Sequence, residues 1–183
     1  GSGPWERYAA IRAATAKTGA RFRYESTVGA GLPVIQTAQA LAFQAQGNLK
    51  LARSGFISAA DKAWKDPAYT TGLGEANLAE GLFPQASDAF NKALAANPDH
   101  LRARLGAALN KALRKFNMKD AQDLVNELAT AELTPALKAR RFAVLAELAN
   151  IEARYDDAIK AADEGIAANP ADPWPEFIKA RAL

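Results

Sequence analysis

Side chains that could take part in chemistry are scarce in this chain of 183 residues. It contains no cysteine and one histidine, His100, which stands in the run Asn-Pro-Asp-His. The absence of cysteine excludes thiolate metal sites, cysteine nucleophiles and disulfides, and a single histidine removes most metal and acid–base schemes. We interpret His100 as a solvent-exposed residue in the lead-in to a helix. The sequence therefore predicts no catalytic residue, no metal site and no cofactor.

A glycine-rich turn that binds a dinucleotide is the other chemical possibility. Such a turn needs a strand, a Gly-x-Gly-x-x-Gly string and a helix whose N-terminus meets the pyrophosphate. Beyond residues 1–3, Gly-x-Gly strings occur at residues 29–31 and 72–74, and neither is followed by the third glycine. We therefore expect no nicotinamide site and no enzyme.

The charges exclude other partner classes. The chain has 23 Lys+Arg and 20 Asp+Glu, and residues 1–35 hold the whole basic excess. The remainder is balanced, so no basic surface for nucleic acid is predicted. No run approaches the roughly 18 apolar residues of a membrane span. We expect a protein or peptide partner, and the composition fits a bacterial cytoplasmic protein as well as a periplasmic one. Residues 1–3, Gly-Ser-Gly, are interpreted as an expression remnant, with a natural targeting segment possible before them.

The elements that position the side chains change near residue 36. From Thr37 onward Ala, Leu, Gln, Glu and Lys dominate, and Pro and Gly occur only between segments of helical length. No run of alternating β-branched residues, as in a strand, occurs in this part of the sequence. Residues 36–183 are therefore predicted to be all-α.

A recurring spacing of small and apolar residues runs through the helical part. Five positions, separated by 5, 4, 3 and 5 residues, occur twice in full: Gly81, Ala86, Phe90, Ala93 and Pro98, then Ala153, Ala158, Ala162, Gly165 and Pro170. Partial copies occur at Gly47, Ala52, Phe56 and Ala59 and at Ala121, Val125 and Leu128. The equivalent alanines, at positions 52, 86, 121 and 158, are 34, 35 and 37 residues apart.

A small residue at the close crossing of two antiparallel helices lets their backbones approach, and a larger apolar residue one turn later fills the space between repeats. With its period near 34 residues, the sequence resembles tetratricopeptide repeat proteins. The resemblance implies an all-α helix-turn-helix solenoid, wound as a right-handed superhelix, with four repeats and a trailing helix at residues 173–183. The alternative is an unrelated helical bundle, which needs no such period.

Residues 4–35 have a different pattern. Residues 5–17 carry a helix-like apolar stripe, residues 21–25 alternate polar with aromatic side chains as a strand does, and Pro33 is placed to begin another helix. The run at residues 24–35, Tyr-Glu-Ser-Thr-Val-Gly-Ala-Gly-Leu-Pro-Val-Ile, resembles a signature of homoserine dehydrogenases. The chain is accordingly divided into residues 1–3, a dehydrogenase-like segment of α/β origin at 4–35, and the repeats at 36–183.

In homoserine dehydrogenases this segment lies near the nicotinamide, and its backbone carbonyls hold a monovalent cation. The resemblance carries those cation positions to Glu25, Val28, Ala30 and Leu32. The remainder of a dehydrogenase has no counterpart in the chain, so turnover is not predicted. Two origins stay open: a fused ligand that the repeats capture, and a chance or artificial junction.

The function implied by the repeats is recognition on the concave face, which the first helix of each repeat lines. Counting back from the alanines gives ten candidate groove residues: Thr71, Glu75, Leu78, Arg102, Leu105, Leu109, Asn110, Arg140, Glu147 and Asn150. The amides of Asn110 and Asn150 are expected to pair with the main chain of a bound peptide. Glu75 and Glu147 interrupt the basic set with which some co-chaperones hold an acidic peptide end.

Two function classes follow. The first is a non-enzymatic scaffold or adaptor that binds peptide segments or partner proteins, its own N-terminal segment included, in cis or in trans. The second is a remnant or regulator linked to homoserine dehydrogenase and aspartate-family amino acid metabolism, which the dehydrogenase-like segment alone suggests.

Overall fold

The computed structural model describes residues 32–183, and every regular element in that part of the chain is an α-helix. In chain order the helices are α1 (Pro33–Ala45), α2 (Leu49–Lys62), α3 (Pro67–Ala79), α4 (Phe83–Ala96), α5 (Leu101–Leu113), α6 (Met118–Glu127), α7 (Pro135–Ile151), α8 (Tyr155–Ala168) and α9 (Pro173–Ala182). The chain divides into two compact units, residues 1–64 and residues 65–183.

The described part of the first unit is the hairpin of α1 and α2. Helix α1 begins at Pro33, as predicted, since proline at the first helical position gives up no hydrogen bond. The side chain of Asn48 accepts the Leu51 N–H and caps α2. Gly55 lies so close to α1 that an added Cβ would stand 2.8 Å from the Cβ of Ala40. The two helices therefore cross at small residues.

The second unit contains three hairpins, α3–α4, α5–α6 and α7–α8, followed by the single helix α9. The first helix of each hairpin and α9 begin alike, with a side chain that accepts a backbone N–H of the first turn, at Asp66, His100, Thr134 and Asp172. His100 is thus an N-cap whose Nδ1 accepts the Ala103 N–H at 3.3 Å, rather than a merely solvated residue. The predicted trailing helix is confirmed as α9.

The alanines of the repeat spacing lie where the hairpins close. Ala52, Ala86, Ala121 and Ala158 are all at most 2% exposed. Ala86 and Ala121 belong to one apolar core that runs through the second unit from Leu78 to Ile178. The small residues of the repeat spacing are therefore buried in the helix packing, and their place at the helix crossings stays a prediction.

Phe90 shows how consecutive hairpins lock together. Its ring is fully buried and lies against two glycines, Gly74 of α3 and Gly106 of α5. A Cβ added at Gly74 would stand 2.6 Å from the ring, and one added at Gly106 would stand 2.5 Å from it. These glycines make room for the aromatic side chain between two first helices.

The turn inside each hairpin contains a residue with positive φ: Gly47 (+75°), Gly81 (+72°), Lys115 (+52°) and Ala153 (+58°). This is the usual left-handed ending of a helix, and glycine adopts it most easily. The buried alanine lies five positions after the positive-φ residue in three of these turns, but Ala121 lies six positions after Lys115. The α5–α6 turn therefore has one extra residue, Asn117, which also has a positive φ of +50°.

We predict that Ala86→Leu lowers the free energy of unfolding by about 1–3 kcal/mol, because the larger side chain overpacks a crossing that has no free space. Urea unfolding followed by circular dichroism measures the change. The matched control is Ala95→Leu, at an exposed position of the same helix. Equal stability of the two variants would show that Ala86 does not lie at a close crossing.

Candidate functional site

A chain of charged side chains connects the first helices of the second unit with α9. The Nε of Arg102 on α5 donates to Glu75 Oε1 on α3 at 2.9 Å, and a second guanidinium nitrogen contacts the other carboxylate oxygen. Arg140 on α7 lies between two acids: its Nη1 is 3.7 Å from Glu75 Oε1, and its Nε donates to Asp172 Oδ2 at 3.0 Å. Four helices are thus joined by alternating charges. We call Glu75, Arg102, Arg140 and Asp172 the charged row.

The charged row is partly buried, and the pKa values of two of its members, Glu75 and Arg102, are shifted. Burial by itself raises the pKa of Glu75, but the guanidinium groups of Arg102 and Arg140 outweigh it and hold the pKa below its ordinary value. The Glu75 carboxylate in turn raises the pKa of Arg102. Burial, together with the charge of Arg102, lowers the pKa of His100. A neutral His100 can accept the N–H that it caps.

A second ion pair lies farther along the same face. Arg181 near the end of α9 donates from Nη1 to Glu147 Oε2 on α7 at 2.8 Å. Glu147 is fully buried, and its other oxygen, Oε1, has no hydrogen-bond partner in the described part of the chain. A buried carboxylate needs such a cation, because an unpaired charge away from water is strongly unfavourable.

The ten candidate groove residues fall into two sets. Glu75, Arg102, Arg140 and Asn150 are partly exposed. The other six are buried: Thr71, Leu78, Leu105, Leu109, Asn110 and Glu147. The three leucines belong to the apolar core of the second unit. This corrects the expectation that the three leucines present their side chains on an open groove, because these side chains pack inside the core. Whether the partly exposed set binds a peptide stays a prediction.

The two asparagines expected to pair with a peptide already pair with this chain's own main chain. Asn110 donates from Nδ2 to the Phe83 carbonyl oxygen at 3.2 Å and lies 3.3 Å from Ser87 Oγ. Asn150 donates to the Ile178 carbonyl oxygen of α9 at 3.2 Å. Their donors hold neighbouring helices together. In both amides the oxygen Oδ1 has no partner among the described residues.

A basic run of five residues lies on α5 and in the turn after it: Arg102, Arg104, Lys111, Arg114 and Lys115. Three of the five are paired with acids. Arg102 pairs with Glu75, Arg104 lies 2.6 Å from Glu127, and Lys111 lies 2.6 Å from Asp120. The last two residues of the run, Arg114 and Lys115, are exposed in the α5–α6 turn.

Sequence reasoning missed Asp172 and Arg181, which complete the two ion-pair systems. Asp172 also caps α9 by accepting the Trp174 N–H at 3.1 Å. An aspartate directly before a helix-starting proline was a usable signal for the cap. No local sequence pattern predicts the second partner of Asp172, which is Arg140, 32 residues earlier in the chain.

The cation positions implied by the dehydrogenase resemblance are only partly within the described residues. Glu25, Val28 and Ala30 lie outside them. The carbonyl oxygen of Leu32 accepts the N–H groups of Ile35 and Gln36, both at 3.0 Å, and so belongs to the first turn of α1. Among residues 32–183 no group of three metal-ligating side chains occurs. A helix suited to crossing a membrane is likewise not found in this range.

We predict that Glu75→Gln makes the free energy of unfolding less dependent on pH. Because the pKa of Glu75 is lowered on folding, its ionised form stabilises the fold above the unfolded value of about 4.5, and this contribution disappears as the pH falls through the lower folded value. The variant should be less stable than the parent at pH 7, and the difference should shrink toward pH 3. Urea unfolding between pH 3 and pH 7 measures it.

Glu127→Gln is the matched control, because this carboxylate also faces an arginine but is exposed. Surface pairs contribute little, so its loss at pH 7 should be the smaller one. Equal losses in the two variants would contradict a special role for the charged row.

Comparison with known proteins gives one short sequence match and several structural ones. No family model matches the chain. The bifunctional aspartokinase/homoserine dehydrogenase of Buchnera aphidicola subsp. Acyrthosiphon pisum (strain APS) is 53% identical over 45 residues in the N-terminal part of the chain. The match covers 25% of this chain and only 5% of that enzyme. It supports the interpretation of a fragment.

The solved structures that resemble the chain are helical repeats. A thermophilic tetratricopeptide repeat protein of Thermus thermophilus has a TM-score of 0.59 at 20% identity, over 98% of this chain and 92% of that one. A tetratricopeptide repeat protein of Parabacteroides merdae ATCC 43184 has a TM-score of 0.58 at 18% identity, over 98% and 65%. MamA of Desulfovibrio magneticus RS-1 has a TM-score of 0.54 at 19% identity, over 81% and 84%. These likenesses establish the fold: the described helices have the tetratricopeptide repeat fold that the spacing of small residues predicts.

Proposed function

We propose that this protein is a non-enzymatic scaffold that binds a peptide segment or a partner protein along the face that carries the charged row. The observation that supports it most is the row itself, in which acidic and basic groups, three of them partly exposed, stand in fixed positions on α3, α5 and α7 and at the N-cap of α9. Repeat solenoids commonly bind partners on the face lined by their first helices. The fold neighbours are compatible with this role.

The row favours a partner that brings both donors and acceptors. Arg102 is 37% exposed and Glu75 18% exposed, so each can reach a bound chain without leaving its ion pair. Because the arginines are already paired, a lone peptide carboxylate would find no unpaired cation cluster there. We therefore propose recognition of an extended or helical segment, rather than of an acidic chain end.

The C-terminal end of this face adds apolar contact. Trp174 and Phe177 on α9 are in edge-to-face contact, with ring centroids 5.6 Å apart, and Phe177 is half exposed. Arg181 lies over the Phe177 ring, 5.8 Å from its centroid. An exposed aromatic side chain beside a guanidinium is a frequent anchor for protein segments. The partner we propose therefore carries an apolar residue beside its polar groups.

The chain's own N-terminal segment is one proposed occupant. Residues 5–35 combine arginines, two glutamates and aromatic residues. A tether of this length gives an effective concentration on the order of millimolar when it can reach the site, which is enough to populate a weak complex. Binding in cis and binding in trans to a second copy use the same chemistry.

A role linked to homoserine dehydrogenase is the second candidate function. It is favoured by the 45-residue match alone. In this view the segment is a remnant of that enzyme, or allows the protein to act on the metabolism of aspartate-family amino acids. The two candidates differ in what carries the activity: the helical repeats in the first and the segment in the second.

We predict that a synthetic peptide of residues 5–31 binds saturably to the chain that begins at residue 32, once circular dichroism has shown this chain to be helical. Ala79→Arg should weaken the binding by about tenfold or more, because residue 79 is exposed one turn beyond Glu75 on α3 and its new side chain occupies the face. Isothermal titration calorimetry measures the affinity.

Ala95→Arg is the matched control, since it adds the same charge at an exposed position of the second helix α4. It should change the affinity by less than about twofold. The full chain should also bind the added peptide more weakly than the shortened one, because its own segment competes. If the shortened chain, its two variants and the full chain all bound the peptide with equal affinity, this face would not be the binding site of the segment.

We further predict that the full chain, given homoserine and either NAD or NADP, reduces no cofactor above the buffer rate, because it lacks the glycine-rich turn that such a cofactor needs. Absorbance at 340 nm, the ordinary signal of the reduced nicotinamide, measures it. Turnover that follows the protein through purification would instead favour the second candidate function.

A further inference from the structure

The α5–α6 turn and the first two residues of α6, together residues 114–119, differ from the equivalent segments of the other hairpins in the apolar side chains they expose. The second helix of each hairpin begins with an apolar residue, three positions before its buried alanine. In α6 this first residue is Met118. Phe116 directly follows the positive-φ residue Lys115 and is 61% exposed. In the α3–α4 turn the residue after the positive-φ position is Leu82, which is partly buried. The extra residue in the α5–α6 turn thus accompanies an aromatic side chain turned to solvent.

The backbone of this turn is held in a specific conformation. Lys115 and Asn117, on either side of Phe116, both have positive φ. The amide of Asn117 donates to Asp120 Oδ2 at 2.6 Å, and Lys111 contacts the same oxygen at 2.6 Å. The carboxylate of Asp120 therefore fixes the turn and is neutralised by Lys111. Residues other than glycine rarely adopt positive φ, and such positions concentrate at functional sites.

Three basic residues lie within three positions of Phe116 in the sequence and have no acid to neutralise them among the described residues. Arg114, Lys115 and Lys119 are exposed, and within the described residues none has a carboxylate partner. The Arg114 guanidinium lies 5.7 Å from the Phe116 ring centroid. In the run at residues 111–120, four basic groups face one acid. An apolar side chain ringed by cations is complementary to an apolar side chain ringed by carboxylates.

The neighbouring turns are acidic, which limits the kind of partner. Helices α3, α5 and α7 run side by side, so their turns lie along one edge of the second unit. The α3–α4 turn carries Glu80, and the α7–α8 turn carries Glu152 with Asp157 just beyond it, two acids that share the single cation Arg154. A wide anionic surface such as a membrane would meet these carboxylates at the same time as the lysines. A narrow peptide chain that crosses this edge only at the α5–α6 turn would not meet the carboxylates of the neighbouring turns.

We propose that the α5–α6 turn is a second docking site, for an acidic segment of a partner protein that carries an aromatic or aliphatic side chain. Phe116 and Met118 contact the apolar residue, and Arg114, Lys115 and Lys119 meet the flanking carboxylates. This site lies at the turn edge, away from the charged row, so both can be occupied at once.

The test uses the full chain and a fluorescein-labelled peptide of sequence DELDEFDELDE. Fluorescence anisotropy at low salt should show saturable binding, and a peptide with lysine at each acidic position should not bind. Phe116→Ala should weaken the affinity by about fivefold or more, since an exposed anchor is removed. Lys115→Gly should weaken it similarly while keeping the fold, because glycine accepts the positive φ of that position.

Tyr155→Ala is the matched control, at a side chain that is 51% exposed in the neighbouring turn. Its neighbour Arg154 is already paired with Glu152 and Asp157, so this variant should bind the peptide as the parent does. Equal loss in Tyr155→Ala and Phe116→Ala, unchanged binding by Lys115→Gly, or no saturation below about 1 mM peptide would each overturn the proposal. Sedimentation with phosphatidylserine vesicles in the absence of peptide binding would overturn it in favour of a membrane.

Discussion

The close approach of helices at small residues is the constraint on which the rest of the structure depends. Phe90 can be buried only because Gly74 and Gly106 present no side chain to its ring. This packing sets α3 and α5 side by side, which brings Arg102 of α5 to Glu75 of α3. The charged row is thus a consequence of apolar packing. A wider helix spacing would separate the charges and leave carboxylates partly buried without cations.

The charged row and the apolar core act on different properties of the fold. Burying apolar surface gives most of the stability but is tolerant of small shifts between helices. Ion pairs with hydrogen bonds are directional, so Arg140 between Glu75 and Asp172 defines how α7 sits against α3 and α9. Part of the electrostatic gain is offset by burial, which by itself raises the pKa of Glu75. The row therefore specifies an arrangement of first helices more than it stabilises the chain, and a partner would meet a preorganised surface.

The sequence predicted the helical repeats because their cause is local and periodic. Alanine and glycine at Ala86 and Gly74 are needed wherever helices cross, so their spacing could be read directly, and α9 followed from Pro173. Groove residues were harder to predict. The same spacing places a polar or apolar residue of a first helix either against a neighbouring helix or against a partner. Leu105 and Asn110 were assigned to the groove but are buried. The partners of Arg140 and Glu147 come from residues about 30 positions away, and no local pattern fixes such pairs.

The dehydrogenase-like stretch and the repeats overlap in sequence, which gives the first unit its mixed character. The match spans 45 residues, whereas only 32 residues precede α1, so a match in the N-terminal part reaches into the described helices. The predicted boundary at residue 35 therefore falls inside the matched stretch. Helix α1 takes its first residue, Pro33, from the signature, and its Ala40 packs closely against Gly55 of α2. The first compact unit ends at residue 64, after α2.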